Sequence, residues 1–141
     1  MATLSPQSPV AAPATDMSVE SGRYGRLLTV RIKPNEDLCT ALETACTGHD
    51  IGRALLRGLI GSLVGATLQR PDGQYETVSG PGVEILTASG EVVREADGQM
   101  HARLQGMVGA TDGSLHAGRF APGGNLAFIT IEAALHEWLP D

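Results

Sequence analysis

The segment LRGLIGSLVGATLQRPDGQYETVSGPGVEILTASGEVV, Leu56 to Val93, decides the fold. It reads as three β segments joined by two turns. The first, Leu56 to Gln69, is apolar and carries Gly58, Gly61 and Gly65, where a side chain would hold a neighbouring backbone away. It ends at Arg70-Pro71-Asp72-Gly73, where proline presets the turn and glycine accepts positive φ. Gln74 to Ser79 runs back, Gly80-Pro81-Gly82 turns the chain again, and Val83-Glu84-Ile85-Leu86 opens the third segment.

Upstream, Leu28, Val30 and Ile32 alternate with Thr29 and Arg31, the period of a half-buried strand. Pro34-Asn35 breaks it. Asn35 is the expected helix N-cap, with Glu36 and Asp37 in the first turn, where acidic groups favour the helix dipole. Leu38, Leu42 and Ala45 form the face that packs on the sheet, and Gly48 ends the helix. Downstream, Met100 to Val108 and Ser114 to Phe120 flank the turn signal Thr111-Asp112-Gly113. Leu126 to Leu135 is apolar enough for a central strand or one covered on both faces. Residues 1–21, rich in Ala, Pro, Ser and Thr without periodicity, read as a disordered tail, and 22–141 as one domain.

The formal charge is -6, and without Asp16 and Glu20 of the tail it is still -4. This balance opposes non-specific nucleic-acid binding, which depends on neutralising phosphates. No apolar run reaches the roughly 18 residues of a membrane span, so no membrane partner is expected. Cys39 and Cys46 lie seven apart, about 10.5 Å of rise on a helix, beyond the ~7 Å a disulfide tolerates. They read as buried thiols in a reducing cytoplasm.

The order and spacing of several short motifs carry a resemblance. They are Gly61-Ser62-Leu63 with Ala66-Thr67-Leu68, Pro71-Asp72-Gly73, Val83-Glu84-Ile85-Leu86-Thr87-Ala88-Ser89-Gly90, and Asp112-Gly113-Ser114-Leu115-His116-Ala117-Gly118. Together, over about Arg26 to Leu135, they resemble the PPC domain, the plants-and-prokaryotes-conserved domain whose bacterial members are commonly labelled as candidate DNA-binding proteins. The resemblance implies an α+β fold, an antiparallel β-sheet with one main packed helix, assembled as a homotrimer. Plant members add AT-hooks built on Arg-Gly-Arg-Pro, and no such motif occurs here.

Many prokaryotic relatives carry His-x-His-x-His before the Asp-Gly turn and a further His after it, a transition-metal pattern. Here only His101 matches; Arg103, Gln105 and Arg119 stand at the other positions. Arginine offers a metal no lone pair, and one imidazole falls short of a catalytic zinc site. No metal and no cofactor is therefore expected. Alternate residues of a strand share a face, so His101, Arg103 and Gln105 point together. With Arg119 they would line a basic pocket for a carboxylate or phosphate, to which Arg57 contributes. Glu84 either belongs to that pocket or neutralises it by pairing with Arg103 or Arg119. No Ser/His/Asp order, phosphate-cradling glycine loop or paired carboxylates mark an enzyme. The expected function is an oligomeric, DNA-associated or transcription-related binding module without its own AT-hook, with small-anion binding in the basic pocket as the alternative.

Overall fold

The structure, a computed structural model, describes residues 16–141. The tail expected over residues 1–21 therefore lies largely outside the described residues. Residues 16–21 carry no regular structure, yet Trp138 donates from Nε1 to Glu20 at 2.7 Å, and Ser21 donates to Asp141 at 2.7 Å.

Eight strands and one helix follow in the order β1 (Gly22–Ile32), α1 (Leu38–Gly48), β2 (Arg53–Leu63), β3 (Ala66–Gln69), β4 (Tyr75–Val78), β5 (Val83–Arg94), β6 (Met100–Gly109), β7 (Leu115–Phe120) and β8 (Ala127–Pro140). They form one sheet in the order β1-β8-β2-β5-β6-β7-β3-β4, with every neighbour antiparallel. This is the expected α+β class. β8 lies inside the sheet, second from its β1 edge and paired on both sides, with β1 and β2.

The opening segment holds four strands rather than three. Its apolar first part breaks at Val64-Gly65, where Val64 N–H turns to Leu126 O at 2.9 Å. β2 stays beside β8 and β5, whereas β3 crosses to the far side and pairs with β7 and β4. Of its glycines, Gly61 answers to close approach: a Cβ there would lie 2.5 Å from Thr130 O. Gly58 meets nothing within 4 Å and opens a dent instead.

One face of the sheet is dry. Ile32, Ala54, Leu56, Val92, Ala102, Leu104, Ile131, Ala133 and Leu135 alternate inward and meet α1 through Leu38, Cys39, Leu42 and Cys46. Cys46, not Ala45, completes the buried stripe, one helical repeat of four beyond Leu42. The helix also starts later than expected. Its N-cap is Asp37, whose Oδ2 accepts from Thr40 N–H at 3.0 Å; Asn35 instead takes φ 68 in the preceding turn. Asp37 is the better placed cap because its other oxygen accepts from Asn125 N–H at 3.0 Å. That bond ties the helix start to the loop between β7 and β8. Further along α1, Glu43 accepts from Ala102 N–H at 2.8 Å. It supplies an acceptor where β6 has run past the last β7 partner, Gln105.

Candidate functional site

The face away from α1 carries the polar side chains that the strand periods placed together. Register makes them a row: Ser89 of β5 opposes Gln105 of β6, Gln105 opposes Arg119 of β7, Arg119 opposes Gln69 of β3, and Gln69 opposes Tyr75 of β4. Neighbouring strands lie about 4.8 Å apart, so each side chain can meet the next. The Arg70–Gly73 turn between β3 and β4 overhangs the row and leaves a groove of about 660 Å³. Thr87, Ser89 and Gln105 line one wall, and Gln69, Arg70 and Arg119 the other. Met107, Ala117 and Pro71 supply apolar surface.

Arg103, Gln105 and Arg119 thus come together as expected, with Gln105 and Arg119 lining the groove. Arg103 lies just past it, on a second concavity shared with Gln105 and Arg119. His101 is farther along β6, opposite Val93, and bonds to Asp97 at 2.8 Å. That carboxylate raises the pKa of His101, and Asp97 itself is held below the ordinary range by Gln99 N–H and His101.

Glu84 and Arg57 do not join the site. Glu84 opposes Ser62 and Gly109 at the other end of β5. The expected ion pair of Glu84 with Arg103 or Arg119 is absent: Arg103 pairs with Glu95 of the β5–β6 turn. Arg57 points to Tyr24, donating to its hydroxyl at 3.1 Å and lying 5.4 Å above its ring centroid. The physical reason is register, which sets Glu91 opposite Arg103 and leaves Glu84 beyond the groove. Sequence reasoning missed Gln69, Thr87 and Ser89. The Pro71-Asp72-Gly73 turn signalled a reversal there, but not which strand the reversal lies against.

A second cluster was also absent from the sequence reading. His116 bonds Ser114 Oγ through Nε2 at 2.8 Å and Glu76 through Nδ1. The atoms match a nucleophile–base–carboxylate chain, but the proton is committed elsewhere. Ser114 donates to Asp112 Oδ1 at 2.5 Å, which leaves Nε2 as donor to the serine and not as its base. Ser114 N–H also bonds Asp112, at 2.9 Å, so the cluster anchors the β6–β7 turn. Among the described residues no three His, Cys, Asp or Glu side chains are grouped to hold a metal.

A one-helix open antiparallel sheet with a polar groove on its uncovered face defines the class. The chain belongs to the Plants and Prokaryotes Conserved (PCC) domain family, whose profile matches residues 19–139. A comparison with curated proteins finds no match. Among solved structures, a metal-containing protein from Archaeoglobus fulgidus is similar at 19% identity and TM-score 0.71, over 89% of this chain and 88% of that one. A plant- and prokaryote-conserved protein from Pyrococcus horikoshii follows at 22% and 0.69, over 89% and 87%. A candidate DNA-binding protein from Bacteroides thetaiotaomicron follows at 21% and 0.68, over 82% and 83%. At these identities the likeness is one of fold.

Proposed function

We propose that the chain is a self-assembling PCC binding module, a homotrimer in the cytoplasm, which associates with DNA through partner proteins and not through its own surface. The observation that carries the reading is an apolar band on the face away from α1. Ile60, Leu86 and Leu115 are 69%, 54% and 62% exposed. Gly61 opposes Ile85, which sets Ile60 beside Leu86. Leu86 leans over Gly109, 3.5 Å from where a Cβ would stand, and Gly109 opposes Leu115. Single exposed aliphatics are ordinary, but a band that runs from β2 across β5 and β6 to β7 favours burial against another surface.

The basic residues support the second half of the reading. Arg26, Arg31, Arg53, Arg70, Arg94 and Arg103 are ion-paired with carboxylates. Arg23, Lys33, Arg57 and Arg119 form no ion pair among the described residues, and they are scattered over β1, the loop after it, β2 and β7. Duplex binding draws on several neutralised phosphates along one track. The two free, buried cysteines fit a reducing compartment. No helix among the described residues is long and apolar enough to cross a membrane.

Sedimentation velocity at micromolar concentration tests the assembly. The parent is expected near three times the 14.7 kDa chain mass, and Leu86→Arg near one, with an unchanged far-ultraviolet spectrum. A parent that sediments as a monomer ends the proposal.

A further inference from the structure

We propose that the groove between β5, β6, β7 and the β3–β4 turn is a binding site for a small monocarboxylate, held by Arg119 between Gln69 and Gln105. The charge balance of the lining selects the ligand. Only two of the lining residues are charged, Arg70 and Arg119, and no acidic side chain lines the groove. Arg70 is taken by Asp72 at 2.6 Å, through a second bond from Nε at 3.4 Å as well. Arg103, on the adjoining concavity, is taken by Glu95. Arg119 has no carboxylate within ion-pair distance among the described residues, so the groove presents one uncompensated positive charge.

A carboxylate matches that charge one for one. It also matches the guanidinium fork, which gives two parallel N–H bonds to its two oxygens. The amides of Gln69 and Gln105 stand on either side of Arg119 in the cross-strand row. Each can donate to the remaining lone pairs of the carboxylate or accept from a hydroxyl or amide on the ligand. Ser89 and Thr87 extend the polar wall, while Met107, Ala117 and Pro71 offer apolar contact to a short carbon chain. The groove volume of about 660 Å³ falls within the ordinary range for small-ligand sites. A phosphate fits less well. Near neutral pH it carries between one and two negative charges, and one guanidinium would leave the excess uncompensated beside a partly apolar wall.

The test is a chemical-shift titration of the full chain, labelled with ¹⁵N, against sodium propionate, inorganic phosphate and sodium chloride at matched ionic strength. Propionate is expected to move the Arg119 Nε–H signal and the backbone amides of Gln105 and Ala117 along a saturating curve. Phosphate at the same concentration is expected to bind at least threefold more weakly, and chloride to give no saturation. Arg119→Met, an exposed position that keeps its bulk, raises the propionate dissociation constant at least tenfold. Arg119→Lys, which keeps the charge and loses the fork, also weakens it, and Arg103→Met leaves it unchanged. Phosphate binding as tightly as propionate overturns the choice of ligand. Equal responses in the parent and in both Arg119 variants, or no saturation with propionate, overturn the site. Each outcome is independent of whether the chain self-associates, which sedimentation reads separately.

Discussion

Asn125 fixes the spacing of two strands that line the groove, and exchanging it for aspartate gives a loss of stability whose size depends on pH. Its side chain is fully buried. Oδ1 accepts from Thr67 N–H at 3.1 Å, and Nδ2 donates to Thr67 O at 3.1 Å and to Ala121 O at 3.0 Å. It clamps β3 to the residue after β7, two positions from both Gln69 and Arg119. Asn125→Asp keeps the shape and turns a double donor into an oxygen facing two carbonyls. The two lost bonds are worth roughly 1 kcal/mol each. An ionised carboxylate in that place has no cation to offset its desolvation, so the folded state holds the proton and the folded pKa rises above the unfolded ~3.9. Below about pH 4 both states are protonated and the variant lies nearest the parent. As pH rises the unfolded state ionises first, and stability falls by about 1.4 kcal/mol per pH unit until the folded pKa is passed. With the folded pKa above 7.5, the step from pH 4.5 to pH 7.5 adds a loss of about 4 kcal/mol to that of the bonds, a large part of the ~5–15 kcal/mol of a typical domain. Urea unfolding at pH 4.5 and 7.5 measures it, with a midpoint lowered by about 2 M at the higher pH for an m-value near 2 kcal/mol/M. Asn125→Leu serves as the comparison. It strands Thr67 N–H, whereas Thr67 O and Ala121 O keep the backbone bonds from Ala121 and Gly124. Its loss should therefore be about 3–4 kcal/mol at both pH values. An Asn125→Asp protein that unfolds at the same urea concentration at both pH values would refute the reasoning.

Two further predictions concern titratable groups away from the groove. Glu137 accepts from Arg26 at Nε and at the backbone N–H, both at 3.1 Å, and from its Nη2 at 3.2 Å. The Arg26 guanidinium holds this carboxyl below its ordinary value. Because the folded pKa is the lower one, the stabilisation is present above the unfolded value of ~4.3 and is lost as pH falls through the folded one. Stability measured in urea from pH 6 to pH 3 should fall less steeply in Glu137→Gln than in the parent, and parallel curves would remove Glu137 from the acid response. Burial pushes the Cys39 thiol up to about 12 and that of Cys46 to about 11. At pH 8 a disulfide reagent should therefore modify neither thiol in the native protein and both in urea; rapid native labelling would show that the α1 face opens.

The Glu137 pair also shows where local reading stops, for its partner Arg26 lies 111 residues away. Period-two alternation is a local property, and it placed Leu28, Val30 and Ile32 in one strand and His101, Arg103 and Gln105 on one face. Turn chemistry is equally local, and Arg70 to Gly73 and Thr111 to Gly113 both reverse the chain; Gly80 to Gly82, expected to do the same, only bends it, because β4 and β5 run in the same sense, paired in turn with β3 and β2. The short helix after Pro34 was legible for the same reason, whereas the antiparallel one-helix class was what the family resemblance implied.

What the chain alone could not disclose is adjacency. Val64-Gly65 looks like the middle of one apolar strand, but it divides β2 from β3 because each half finds its hydrogen bonds on a different side of the sheet. Asn35 and Asp37 are both acceptable caps by residue type; only the fold brings Asn125 N–H to Asp37 and decides between them. Glu84 was the carboxylate expected beside Arg103, but the β5–β6 register sets Glu84 opposite Gly109, and Arg103 pairs instead with Glu95 of the β5–β6 turn. The row from Ser89 to Tyr75 draws on five strands, and its members, spread from Gln69 to Arg119 along the chain, are brought together only by backbone pairing. Residue types and periods by themselves determined most of the elements and which side chains of a strand share a face. Strand order and register, set by long-range burial and by the pairing of every backbone N–H and C=O, determined which of those side chains meet, and left Arg119 with a groove and no carboxylate.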